Sequence, residues 1–454
     1  MGSDIKICSE FAEKLGLPFP LRDYQWEGVS FLAQNEAVLL ADEMGLGKTV
    51  QTAVALQVLL NSPNCDRALI VTPASLCLNW ERELAKWAPN LYCRRVLGFK
   101  EDRLVFYRLP IPILIASYEQ IRADAGSLHP CVHFDVVVLD EAQRIKNSSS
   151  STFLSCKLLP RKYAWSLTGT PVENKAEDLI SIMSFVEPGL IYKGLPLIEI
   201  HKRMGKTFLR RVKERVLEEL PPIISQDLPL ELTGPQKEAY DYVWNDRRNL
   251  IHTDRGRITE VNLLALITKL KKICNFDDSS GESVKLDVLN VILESLVRPN
   301  DKCIIFSQYV ETLKWLSTRI DSLPLDLYHG KMTNEDRDTV IGRFENTPGP
   351  RALLISLKAG GVGLNLQSAS TVVLFDRWWN PAVEDQAVQR AHRFGRKTPL
   401  HVCRFLITNS IEEKINEILK DKKILFEKYI GQAENAETKL FSKKELARIL
   451  NLDV

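Results

Sequence analysis

The chain has no Cys-x-x-Cys pair, and its nine cysteines stand singly along 454 residues. That distribution offers neither a disulfide framework nor a structural zinc site, and it fits a reducing compartment. No apolar run approaches the roughly 20 residues needed to span a bilayer, and the amino terminus lacks the charged-then-apolar pattern of a secretory signal. Membrane insertion is therefore not expected. Low-complexity tracts and sequence repeats are missing as well. Charge of one sign is scarce: 60 Lys and Arg stand against 58 Asp and Glu, a net of +2. The overall balance neither demands nor excludes a polyanionic partner, so local charge must decide.

What is present is a globular composition, 45% hydrophobic and 26% charged. The length exceeds what one core supports, so two or more domains are expected. Met1, Gly2 and Ser3 read as a cloning scar, which implies a catalytic fragment of a longer protein. Short apolar runs alternate with amphipathic stretches: VLLA at 38–41, ALIVT at 68–72, ILIAS at 113–117, VVVLD at 136–140 and WSLTG at 165–169. The pattern returns at 303–307, 352–356, 371–375 and 402–406. Alternation of this kind predicts parallel sheets covered on both faces, hence two α/β lobes. Residues 1–20 read as an N-terminal extension, 21–172 as the first lobe and 173–285 as helical protrusions and a proline-marked linker. The second lobe is expected over 286–430, and 431–454 as a helical appendage with Ser442 as N-cap.

Three stretches carry chemistry. VLLADEMGLGKTVQTAVAL runs from a strand through a glycine turn into a helix. Gly45 and Gly47, with Met44 and Leu46 between and before them, would let backbone N–H groups approach phosphate oxygens. Lys48 would reach the β- and γ-phosphates and Thr49 would hold Mg²⁺. Asp42 stands where the usual loop has its first glycine, and a glycine-lysine turn alone is also an ordinary structural turn. The second stretch, FDVVVLDEAQ, ends four β-formers in Asp140 and Glu141, at the strand edge where open α/β sheets bind ligands. Asp140 would hold Mg²⁺ through water and Glu141 would orient or deprotonate an attacking water. The third, DRWWNPAVEDQAVQRAHRFGR at 376–396, places Gln386, Arg390 and Arg393 along one helix. Arg390 and Arg393, three apart, would share a face and converge on one phosphate group.

These motifs, together with LRDYQWEG at 21–28, TPASLCLNWERE at 72–83, DEAQRIKN at 140–147, LTGTP at 167–171, LRRVKERVLEELPP at 209–222 and KKICNF at 271–276, resemble the Swi/Snf family of superfamily-two helicase-like ATPases. IIFSQYVETL at 304–313, YHGKM at 328–332 and SLKAGGVGLNL at 356–366 extend the resemblance over nearly the whole chain. It implies two RecA-like parallel-sheet lobes with helical protrusions between them. It further implies an ATP hydrolase that moves along double-stranded DNA and remodels or displaces DNA-bound proteins. ATP and Mg²⁺ are the implied cofactors, and the LKAGG and WWNP versions look prokaryotic. The resemblance places the protein inside the cell, in cytoplasm or nucleoid if prokaryotic and in the nucleus if eukaryotic. Residue by residue, Arg22, Tyr24 and Gln25 would contact the nucleotide, Gln25 reading adenine, with Gly363 on the second lobe. Gln143, Thr168 and Thr170 would couple the lobes. Gln143 replaces the family's usual histidine, and Gln389 and Arg396 stand where aspartate and glutamine are common.

Motors of this class grip phosphates with loops and helix N-termini, which needs few base contacts. Ser75, Asn79, Ser117 and Tyr118 are the candidates on the first lobe. Ser307, Gln308, His329, Gly330, Lys358 and Gly360 are their counterparts on the second. Trp378 and Trp379 would either stack near DNA, Trp379 above all, or anchor packing. HKRMGKTFLRRVKER at 201–215 is the densest basic stretch and reads as a helix face along the DNA backbone or as a solvated one. Two other readings share these motifs: a strand-separating helicase or RNA-directed remodeller, and a nucleotide-gated clamp that does not hydrolyse, suggested only by Gln143.

Overall fold

Runs of Val, Ile and Leu form the central strands, buried along all or most of their length, as parallel sheets covered on both faces require. The computed structural model describes residues 15–63, 65–128, 132–169, 171, 176–216, 220–251, 259–298, 301–360, 364, 366–379, 381–393, 396–420 and 443–452. The chain divides into two compact units, Met1–Glu218 with Lys428–Glu437, and Glu219–Glu427 with Thr438–Val454.

The first unit holds strands β1 (Ala37–Leu40), β2 (Ala68–Thr72), β3 (Cys93–Arg95), β4 (Ile113–Ser117), β5 (Val136–Asp140), β6 (Tyr163–Leu167) and β7 (Phe208–Leu209). They form one parallel sheet in the order β3-β4-β2-β5-β6-β1-β7. The order doubles back, so β1 and β5, which carry the glycine loop and the paired acids at their ends, are separated by β6 alone. Helix Lys48–Leu60 follows the loop and is buried almost all round, from Gln51 to Gln57.

The second unit holds β8 (Ile223–Leu230), β9 (Lys302–Ser307), β10 (Leu325–Tyr328), β11 (Arg351–Ser356), β12 (Thr371–Leu374) and β13 (Leu400–Ile407), again all parallel, in the order β10-β11-β9-β12-β13-β8. Period-2 alternation divides each strand between two cores. Ile304, Phe306, Leu353 and Ile355 face one side, while Cys303, Ile305, Ala352 and Leu354 face the other. A third cluster joins helix Glu260–Asn275 to Ile411, Ile415 and the C-terminal helix Lys443–Ile449. The helical appendage is thus built into this unit from residue 443; its expected cap, Ser442, lies outside the described residues.

The expected fold class holds, with one correction. Residues 173–285 were expected to be helical, yet they supply β7 and β8, an edge strand for each sheet. β8 reads IISQDLPL, half exposed and with Pro229 in it, which is edge chemistry rather than a buried apolar run. The basic stretch 201–215 likewise divides: helix Leu197–Met204 ends in it and β7 follows. Among the described residues no helix is long and apolar enough to cross a membrane.

Candidate functional site

The glycine loop leaves buried β1 and turns through Gly45 (φ +89°) and Gly47 (φ +78°), left-handed positions that glycine takes at no steric cost. The first-turn N–H groups of helix Lys48–Leu60 are thereby presented where an anion can meet them. Lys48 donates from Nζ to the carbonyl of Asp42 at 2.6 Å, so it lies folded over its own loop. Asp42 itself is fully buried and paired with Arg211, Nη2 to Oδ2 at 2.5 Å. The carboxylate in the place of a glycine is therefore a structural anchor, and the broken pattern still forms a cradle. Gln25 accepts from the Arg22 N–H at 3.0 Å. Its Nε2 stands 2.7 Å from where Gly47 would carry a Cβ, so it borders the loop. Tyr24 is buried, which pushes its phenol up to about 12. A Cβ on Gly169 would lie 2.5 Å from Met44 Cγ and 3.5 Å from Lys48 Nζ, so the Leu-Thr-Gly turn closes onto the same loop.

The acids stand at the end of β5. Asp140 Oδ2 accepts from Trp80 Nε1 at 2.7 Å and from the Thr72 hydroxyl at 3.1 Å, and Oδ1 accepts from the Glu141 N–H at 3.0 Å. Burial, and then the charge of Glu141, push the Asp140 carboxyl up to about 6. A hard divalent cation is the kind of partner such a destabilised carboxylate fits. Glu141 adopts φ +51°, strained for a residue with a side chain. Gln143 Nε2 donates to Glu141 Oε2 at 2.7 Å, and the Thr168 hydroxyl donates to Gln143 Oε1 at 2.8 Å. Three of the expected residues are thus joined in one chain of hydrogen bonds.

In the second unit, helix Pro381–Ala391 carries Gln386 and Arg390 one turn apart on one face. It ends before Arg393, so the expectation of both arginines on one helix is corrected: Arg393 belongs to the turn that follows. Glu384 sets the start of this helix, accepting from the Trp378 N–H at 2.6 Å and from Arg377 Nε at 3.1 Å. Arg377 donates in turn to Asn416 Oδ1 at 2.8 Å, and its carbonyl accepts from Lys271 Nζ at 2.6 Å. Trp378 and Trp379 are both half-buried and pack into different cores, Trp379 beneath the Lys271 ammonium at 4.8 Å. Each thus contributes part of its surface to packing within this unit.

Three nucleic-acid candidates are corrected. Ser117 is buried and caps a helix, its Oγ accepting from the Gln120 N–H while Gln120 Oε1 accepts from the Ser117 N–H. Tyr118 is buried with its hydroxyl on the Asp140 carbonyl at 2.8 Å. Ser307 is buried against Asp376. Ser75 and Gly330 are exposed, and Asn79, Gln308 and His329 are half-buried. Gly360 closes helix Leu357–Gly360. Thr170, Gly363 and the side chain of Lys358 lie outside the described residues. Trp80, Arg211, Arg377 and Glu384 were missed. Trp80 lies within TPASLCLNWERE at 72–83, a stretch noted only for its family resemblance, and the others have partners no local pattern reveals.

Residues 24–194 match the family model of the SNF2-related domain, and residues 284–395 that of the helicase conserved C-terminal domain. Over 94% of its length the chain is 35% identical to an uncharacterized ATP-dependent helicase of Mycoplasma pneumoniae, of which it covers 44%. Over 95% it is 33% identical to the putative ATP-dependent helicase/translocase YwqA of Bacillus subtilis, covering 51% of that protein. The chain spans about half the length of the curated relatives it matches. Among solved structures it is similar to the Sulfolobus solfataricus SWI2/SNF2 ATPase core in complex with dsDNA, at 29% identity and TM-score 0.45 over 96% of this chain and 98% of that one.

Proposed function

This chain belongs to the SNF2 family, and from that premise we propose that it is a DNA-dependent ATPase and double-stranded DNA translocase that remodels or displaces DNA-bound proteins. The observation that carries the reading is the hydrogen-bonded chain Glu141–Gln143–Thr168 beside a glycine cradle, which orients a carboxylate for work on water rather than for packing. Lys48 is assigned to the β- and γ-phosphates, and Thr49 and Asp140 to Mg²⁺, the latter through water. When bound, the cation neutralises phosphate charge. Glu141 orients the attacking water or takes its proton. Gln386, Arg390 and Arg393 are assigned to the charge developing on the γ-phosphate. Arg22, Tyr24 and Gln25 take the base side of the nucleotide, with Gly363 on the second unit. Thr170 joins Gln143 and Thr168 in coupling. Ser75, Asn79, Gln308, His329, Gly330, Lys358 and Gly360 remain assigned to DNA phosphates, which implies little sequence preference.

ATP hydrolysis measured without nucleic acid and with single-stranded DNA, duplex DNA or RNA tests the reading, with triplex displacement and strand displacement run beside it. Stimulation by duplex and displacement of a triplex strand without unwinding are expected. Robust unwinding of a plain duplex would transfer the assignment to a strand-separating helicase, the word the bacterial relatives carry. Stimulation by RNA alone would make it an RNA-directed remodeller.

A further inference from the structure

We infer that Arg211 is a positioning residue for the nucleotide, holding the phosphate cradle in shape through Asp42 and tying that shape to the segment by which the chain leaves the first unit. The inference rests on the ATPase reading and adds a residue which that reading does not use.

A fully buried carboxylate such as Asp42 is stable only when paired and hydrogen-bonded. Arg211 supplies both. Its Nε and Nη2 take the two oxygens of Asp42 at 2.9 and 2.5 Å, and its backbone N–H adds a third bond to Oδ1 at 3.1 Å. Nη2 also donates to Gln51 Oε1 at 2.8 Å, while Nη1 donates to the Tyr24 carbonyl and faces Glu27 at 3.5 Å. Gln51 passes the contact on, donating to Asp42 Oδ2 at 3.2 Å and to the Leu46 carbonyl inside the loop at 3.0 Å. Gly28 leaves the room for this: a Cβ there would fall 1.8 Å from Gln51 Oε1 and 2.9 Å from Arg211 Nη2.

Three segments therefore meet at one guanidinium. One is the helix start at Tyr24, beside Gln25; the second is the loop from Asp42 to Leu46. The third continues β7. The Leu39, Ala41 and Glu43 N–H groups donate in turn to the carbonyls of Thr207, Leu209 and Arg211, at 2.7, 2.7 and 2.9 Å, and the Lys213 N–H donates to Glu43 at 2.7 Å. This ladder follows the loop backbone into the cradle shortly before the first unit ends at Glu218. A lysine cannot reproduce the arrangement, because its ammonium is a point charge where the site uses a planar fork.

The test compares wild type with Arg211→Lys, Arg211→Met and the double variant Asp42→Leu/Arg211→Met, reading fluorescent ATP-analogue binding, KM, kcat and Tm. Both single variants are expected to raise KM for ATP about tenfold, with kcat changed less. The double variant removes both buried charges and is expected to recover the wild-type Tm while its KM stays raised. A purely structural role would move Tm and KM together. Recovery of both in the double variant, or wild-type KM in both single variants, overturns the inference while leaving the ATPase reading intact. A wild-type protein that binds no ATP analogue overturns the ATPase reading, and this inference with it.

Discussion

Gln143 holds Glu141 from the side, donating to Glu141 Oε2 at 2.7 Å while its own carbonyl oxygen takes the Thr168 hydroxyl at 2.8 Å. Glu141 has a backbone at φ +51°, so its carboxylate is aimed by a strained turn and steadied by this amide. Gln143→Leu removes donor and acceptor together. It is expected to lower kcat about a hundredfold with KM for ATP near wild type, the signature of a lost catalytic orientation. Gln143→His keeps one ring N–H donor and one ring acceptor, and is expected to retain most of the activity. Steady-state kinetics on duplex DNA checks both; wild-type kcat in Gln143→Leu would remove the relay from the mechanism.

Lys48→Ala and Glu141→Gln separate binding from chemistry. Both are expected to abolish turnover while the fold persists, because neither side chain belongs to a hydrophobic core. Lys48→Ala should also lose ATP-analogue binding, whereas Glu141→Gln should bind as wild type and accumulate an unhydrolysed complex. Duplex-stimulated ATPase in either variant would refute the assigned site.

The parts of this site legible in the sequence are those whose residues are contiguous. Gly45 to Thr49 and Asp140 to Gln143 each sit on one strand end, so their spacing alone places them. Arg211 was not legible, because its partner Asp42 is 169 residues away in the chain and is brought to it by the parallel pairing of β1 with β7. β7 and β8 escaped for a related reason: edge strands need no continuous apolar run, and Ile223–Leu230 alternates with polar residues and a proline. Arg393 was placed on a helix by its spacing from Arg390, but spacing does not mark where a helix stops. Ser117, Tyr118 and Ser307 share residue types with DNA-contacting loops, and only burial shows that their side chains are spent on caps and cores.

That distinction is itself testable. Ser117→Ala removes one half of the reciprocal cap with Gln120 and is expected to cost about 1 kcal/mol of stability without changing duplex affinity. Ser75→Ala and Asn79→Ala lie on accessible positions and are expected to weaken duplex binding with Tm unchanged. Fluorescence anisotropy beside thermal melts reads both; a DNA defect in Ser117→Ala at unchanged Tm would reverse the correction.

Chelation of divalent metal tests the Asp140 assignment. Buried beside Glu141, this carboxylate gains from a cation what the protein alone does not give it. ATP with Mg²⁺ is expected to raise Tm more than ATP with EDTA, and Asp140→Asn should make the two conditions equal. A persisting Mg²⁺ increment in that variant would place the cation on other donors.

The second unit depends on a charge pair that water does not reach. Lys285 Nζ meets Glu412 Oε1 at 2.7 Å and Asn275 Oδ1 at 3.1 Å, with both partners of the ion pair fully buried. The other Glu412 oxygen accepts from the Ile407 N–H at 3.1 Å, so the pair pins helix Val284–Glu294 to the end of β13. Such a pair is costly to break from one side, since the surviving charge is left buried without compensation. Lys285→Met is expected to cost about 3–5 kcal/mol. Adding Glu412→Leu should recover most of that loss, because both desolvated charges are then gone. Two units need not unfold together, so hydrogen exchange read separately on each sheet is the appropriate measurement. Lys285→Met should lower protection in β9, β12 and β13 while β2 and β5 keep theirs. Unchanged protection in β13 would mean that apolar packing alone holds this helix, and that the buried pair contributes nothing to the unit that carries the arginines.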